Sequence, residues 1–225
     1  MVDNTESKHS LDAQIRARSI KKYSHRATGY DSTCSPTWPA RLATIDKLQL
    51  LPGQHVLDVG CGTGLSLELL HRAVGDTGLV SGVEQSPQMI ALARQRVQAA
   101  GWRNVVLYEA AAQEFSLRIP IDAFLFHYTH DILRSDAALN SLVRLAKPGA
   151  RIAIAGIKYF PWWMAPLNLW VYFKNVGYNG SPGELYTPWD KISPRIADWE
   201  MFSTQWGMGY IASGHLPHEP VKKFL

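Results

Sequence analysis

Apolar and polar positions follow two alternating textures along the middle of the chain. Val56, Leu57 and Val59 form a short apolar run that suits a strand covered on both faces. Similar runs occur at about 79–84, 104–108, 121–126 and 150–156. Between them lie stretches with helical spacing, at about 37–49, 65–74, 86–100 and 132–146. Ser86-Pro87 supplies a cap and a first-turn proline for the third of these helices. Leu51-Pro52-Gly53, Gly75-Asp76-Thr77-Gly78 and Lys147-Pro148-Gly149 read as turns. Regular alternation of strand and helix predicts an α/β, doubly wound, mostly parallel sheet with right-handed crossovers. Two final strands at about 199–204 and 207–213 predict a closing antiparallel hairpin, for seven strands in all.

Three regions of one structural domain follow. Residues 1–50 read as an N-terminal helical lid, with an amphipathic helix over 11–22 carrying Leu11, Ile15 and Ile20 on one face. Residues 51–157 form the alternating core. Residues 158–225 change texture: 15 of the 24 aromatic residues lie between Tyr159 and Phe224, including six of the eight tryptophans. Ligands of open α/β sheets bind at the carboxyl ends of the strands. An insertion over 158–198 would therefore roof that end with aromatic side chains.

Composition adds little beyond a globular chain: 225 residues, 46% apolar and 19% charged. The longest apolar run, Phe160 to Phe173, is shorter than a membrane span of about 20 residues and is broken by Pro161, Pro166 and Asn168. The start of the chain is polar and shows no signal peptide. With only Cys34 and Cys61, a disulfide framework is not expected, and a cytoplasmic location fits best. Net charge is +4, partly from Arg16, Arg18, Lys21, Lys22 and Arg26. The plain reading is a solvated helix face. The sharper ones are contact with an anionic membrane surface, or with nucleic acid, which the lack of interleaved aromatics disfavours.

The chemistry concentrates at Asp58-Val59-Gly60-Cys61-Gly62-Thr63-Gly64. A strand breaking into glycines lets a ligand lie against the backbone, and the next helix points free N–H groups at it. The spacing departs from the dinucleotide G-x-G-x-x-G, and no Lys-Ser/Thr follows, so a phosphate-cradling loop is excluded. Glu84 ends the second strand, 24 residues after Gly60, where an acidic side chain can hold ribose hydroxyls. A bland packing loop would not explain that pairing.

The D-x-G-x-G-x-G run resembles motif I of the class I S-adenosylmethionine-dependent methyltransferases, in particular the ubiquinone-biosynthesis and phospholipid-N-methyltransferase-like group. The likeness is strong over about 40–157 and weaker at both ends. Lys147 to Arg151, Tyr23 to Asp31, and Tyr210 to Gly214 resemble further segments of that group. The resemblance implies a Rossmann-like fold and S-adenosylmethionine as cofactor. It places Asp58, Gly60, Cys61, Gly62 and Gly64 around the methionine part, Glu84 on the ribose, and Gln85 and Met89 beside the adenine. Tyr23 and Tyr30 would belong to the lid. Ala111, followed by Ala112, stands where the family usually has an Asp beside the adenine amine, which is a departure. The resemblance also puts His127, Tyr128 and His130 beside the reacting methyl.

His127 and His130 have the pKa range of a general base, with helix capping and packing as the plain alternative. No third ligand is evident beside them, so no metal is expected. Tyr23, Tyr30, Tyr128, Tyr178 and the tryptophans at 162, 163, 170 and 189 suggest an aromatic enclosure for the sulfonium or a cationic substrate, or else simply core. The leading expectation is methyl transfer to a small amphipathic or aromatic acceptor: a lipid head-group amine, a prenylated ring or a natural-product intermediate. A second is cyclisation of S-adenosylmethionine to azetidine-2-carboxylate and methylthioadenosine, with Tyr178, Asn140 or Ser203 as polar contacts. A third is a cofactor-binding or RNA-binding module. Exposed aromatics near the C-terminus would permit a homodimer.

Overall fold

The computed structural model describes residues 35–175 and 185–218. The expected helix at 11–22, together with Tyr23, Tyr30 and Tyr178, lies outside these described residues. Seven strands form one sheet: β1 His55–Val59, β2 Leu79–Glu84, β3 Val105–Glu109, β4 Ile121–His127, β5 Ala146–Ile157, β6 Ala197–Thr204 and β7 Gly209–His215. Their order is β3-β2-β1-β4-β5-β7-β6. The first five are parallel, and β7 runs antiparallel to both neighbours. The doubly wound, mostly parallel sheet with a closing hairpin is therefore present.

The central strands separate two apolar layers by residue parity. Leu57, Val59, Phe124, Phe126, Ile152 and Ile154 face one layer. That layer is completed by α5, Asp136–Val143, through Leu139 and Leu142, and by Ile192 and Ile196. Val56, Ala123, Leu125 and Ala153 face the other layer, built from α1, Trp38–Lys47, α2, Leu67–Val74, and α3, Pro87–Ala100. Every side chain of β1 is buried, as an apolar run in a two-faced sheet requires. Asp58 and His127 have the parity of the α1 face and sit at the carboxyl ends of the two central strands.

Several elements differ in detail from the sequence reading. The expected helix over 132–146 is two helices, α4 His130–Leu133 and α5. Ser135 interrupts it because its Oγ accepts from Ala138 N–H at 3.2 Å and caps a new start. The Lys147-Pro148-Gly149 turn is a bulge inside β5: Ala146 pairs with Ile121, and the ladder resumes with Arg151 opposite Ala123. Residues 37–49 do not stand apart as a lid element. Helix α1 lies against the sheet, where Ala40 joins Ala155 and Ile211. No helix among the described residues is long and apolar enough to cross a membrane.

The core places a quantitative demand on β4. Phe124 is 1% exposed. Phe124→Ala is expected to cost about 3–5 kcal/mol in urea unfolding. Leu51→Ala, at an exposed loop position, should stay within about 0.5 kcal/mol.

Candidate active site

The glycine loop is shaped by contacts that only hydrogen at Cα permits. Gly60 has φ +69°, and a Cβ there would lie 2.6 Å from Thr129 Cγ2. Gly64 has φ +84°, and its Cβ would meet Leu67 Cδ1 at 2.7 Å. These two glycines let α4 and α2 close onto the loop. Gly62 is different. A Cβ there would meet nothing within 4 Å, so its φ of +56° opens backbone toward free space rather than toward protein.

Glu84 ties the first two loops together. Its Oε2 accepts from Gly62 N–H at 3.1 Å and its Oε1 from Ser86 N–H at 2.8 Å. A carboxylate has about four acceptor positions. The Gln85 N–H bonds it as well, which leaves one for a ribose hydroxyl. Burial pushes Glu84 above the usual carboxylate range, and these backbone N–H groups oppose that rise. The loop after β3 is joined to the same point, since Ala110 N–H donates to the Glu84 carbonyl at 3.1 Å. Met89 and Ser86 are buried at the start of α3, and Gln85 is half-buried between them and Glu84. Ala111 is fully buried, and Ala112 packs into the apolar core with Val83 and Phe115. The Ala112 methyl is thus a packing group.

Asp58 is 2% exposed, and its Oδ2 has no hydrogen-bond partner among the described residues. Loss of hydration pushes its pKa up to about 7; Arg41 opposes the rise and Glu84 adds to it. Arg41, on the buried face of α1, donates from Nη1 to Ser66 Oγ. The sequence reading did not single out Arg41. The available signal was its place on the stripe Ala40, Arg41, Thr44, Ile45, where a cation is costly unless it is used.

His127 and His130 follow β4 and have different chemistry. His127 is buried with Nε2 unpartnered among the described residues, and burial followed by the Arg41 charge holds its pKa well below 6.5. It meets Tyr128 edge-on at 4.8 Å. His130 Nε2 accepts from Ile157 N–H at 3.1 Å. That bond fixes the ring proton on Nδ1. Its ring lone pair is engaged there, and its pKa is lowered to about 4 by burial, then by Arg134, so His130 is held as a neutral imidazole whose Nδ1 has no partner among the described residues. Tyr128 has φ +59°, and its hydroxyl accepts from Gln205 Nε2 at 2.9 Å.

Other expected contacts lie elsewhere. Asn140 Oδ1 accepts from Arg195 on the outside of α5, and Ser203 is exposed on the edge strand β6. Neither reaches the loops. Trp162, Trp163 and Trp170 are exposed and do not enclose the site, whereas Trp189 packs edge-on against Tyr210 in the core.

These groups suit S-adenosylmethionine. A buried carboxylate with one oxygen unpartnered among the described residues fits a cationic amine, Glu84 keeps acceptor capacity for a ribose hydroxyl, and Gly62 leaves room beside the backbone. A methyltransferase-domain family model matches residues 50–174. A demethylmenaquinone methyltransferase from Shouchella clausii is 32% identical over 118 residues, 50% of this chain and 48% of the relative. A ubiquinone/menaquinone biosynthesis C-methyltransferase from Vibrio campbellii is 34% identical over 116 residues, 49% of this chain and 44% of the relative. The chain thus spans about half the length of the curated relatives it matches. A crystal structure of a SAM-dependent methyltransferase from Aquifex aeolicus shares the fold at a TM-score of 0.63 and 20% identity, covering 84% of this chain and 98% of that one.

The burial of Asp58 sets a pH dependence. Its folded pKa of about 7 lies above that of an unfolded Asp, so the ligand-free protein loses stability as pH rises from about 4 through 7. Asp58→Asn should flatten that loss in thermal melts. In calorimetry it should weaken S-adenosylmethionine about 10- to 100-fold, the value of a hydrogen bond to a charged group.

Proposed function

This chain belongs to the methyltransferase-domain family, and on that premise we propose that it methylates a small, hydroxylated, prenylated ring of the quinol type. The observation that carries the reading is the pair of carboxylates, buried Asp58 and half-buried Glu84, at the tips of adjacent strands beside Gly62. The acceptor class rests on the quinone-biosynthesis names of the relatives.

Bound S-adenosylmethionine supplies a methyl group already activated by the sulfonium charge. The chain need form no covalent intermediate; its residues orient, neutralise and dehydrate. Asp58 receives the amine of the methionine part, Arg41 beside it suits the carboxylate, and Glu84 receives the ribose. Orientation of this kind supplies roughly 7–11 kcal/mol of the barrier. His127 offers Nε2 to the acceptor hydroxyl as a neutral hydrogen-bond acceptor, the state its low pKa maintains at physiological pH, and takes the hydroxyl proton as the methyl is transferred. His130 directs its Nδ1–H as a fixed donor, and Tyr128 is held by Gln205.

Incubation of the purified protein with S-adenosylmethionine, with and without a reduced demethylated quinone analogue, tests the reading by mass spectrometry of the nucleoside product. S-adenosylhomocysteine should appear only with the acceptor. Methylthioadenosine formed without any acceptor, together with azetidine-2-carboxylate and above a protein-free control, would instead establish cyclisation. His127→Gln should lower kcat by about 10²-fold while leaving the cofactor Kd unchanged.

A further inference from the structure

The helix α6, Ala165–Asn175, and the 3-10 turn Trp162–Met164 before it have their polarity turned inside out. From Tyr159 to Phe173 there is no charged residue. The one amide in that stretch, Asn168, points inward. Its Oδ1 accepts from Phe160 N–H at 2.8 Å and its Nδ2 donates to Phe160 O at 3.0 Å. Val171 is buried on the same side, in a small cluster with Tyr159, Phe160 and Leu185. The outward face carries Trp162 at 82% exposure, Trp163 at 66%, Trp170 at 51% and Phe173 at 66%. A helix that is apolar all round belongs inside a protein or in contact with lipid.

The hairpin end adds to this surface. Lys158 N–H donates to Met208 O at 2.7 Å, and a Cβ on Gly207 would lie 3.2 Å from Phe160 Cδ1. Next to Gly207, Trp206 stands fully exposed, with φ +60°.

We infer that this aromatic face docks on the surface of an anionic phospholipid bilayer. The charge pattern selects that occupant. Lysines bracket the uncharged run at 158 and 174, and no Asp or Glu occurs from Lys158 to Gly183. The residue type agrees, since tryptophan prefers the headgroup boundary, where its ring is buried and its N–H stays wet. The length agrees as well: the uncharged run falls short of the roughly 20 residues a span requires, so the segment lies in the interface. The face grows from Ile157 at the carboxyl end of β5, the same end of the sheet as Asp58 and His127. Docking would thus bring the site mouth to the membrane. That the acceptor is drawn from the bilayer rests on the proposed quinol reading; the docking itself does not.

The test is sedimentation of the full chain with vesicles of phosphatidylcholine alone, and of phosphatidylcholine mixed with phosphatidylglycerol, without cofactor or acceptor. Methyl transfer plays no part in the readout, so failure of the quinol reading leaves it unchanged. Partition into the anionic vesicles should be strong, should fall with salt, and should shift tryptophan emission to the blue. The triple variant Trp162→Ser, Trp163→Ser, Trp170→Ser should bind at least about tenfold more weakly, since affinity scales with buried apolar area. A separate Trp206→Ser variant should give a smaller loss and guards against misfolding of the triple. Circular dichroism and cofactor binding should match wild type for both. Absence of vesicle binding, binding unchanged in both variants, or a dimer that the triple variant dissociates without any lipid affinity would each overturn the inference.

Discussion

Burying a carboxylate at the end of a strand covered on both faces is the constraint on which this site rests. Asp58 is cut off from water, and one of its oxygens has no partner among the described residues. Around it the chain supplies an opposing cation, Arg41, and a second carboxylate, Glu84. Each has a structural cost, and together they suit a ligand of mixed charge. The sheet order serves this arrangement. It sets β1 centrally between β2 and β4, so the tips carrying Asp58, Glu84 and His127 lie side by side.

Much of this was legible in the sequence where local patterns coincide with tertiary need. The run Val56 to Gly64 reads as strand, turn and helix because burial on both faces demands apolar residues and the turn demands glycine. Glu84 was legible by its distance from that loop. Arg41 was not, because a helical arginine is ordinarily solvated, and only the packing of α1 on the sheet shows otherwise. The broken helix at Ser135 was missed because a mid-helix serine and a capping serine look alike until the backbone turns.

The aromatic C-terminal part illustrates a further limit. A count of tryptophans suggested a roof, but composition carries no direction. Asn168 decides it: by holding the backbone of Phe160 it fixes which side of α6 turns in, and the tryptophans are left facing out. The two histidines after β4 were likewise indistinguishable as residue types. A single backbone N–H, that of Ile157, separates their hydrogen-bonding states.

The buried imidazoles have an effect on the whole molecule. His55, His127 and His130 are all kept neutral by their surroundings, and His55 is joined to Ser81 Oγ at 2.8 Å. An unfolded chain would protonate each near pH 6.5, so acidification favours unfolding, for His130 down to about pH 4. Asp58 pulls the other way over much of the same interval. The protein therefore has an acid limit set by its histidines and a ligand-sensitive alkaline side set by one aspartate, and cofactor occupancy should widen the range of pH in which the fold persists.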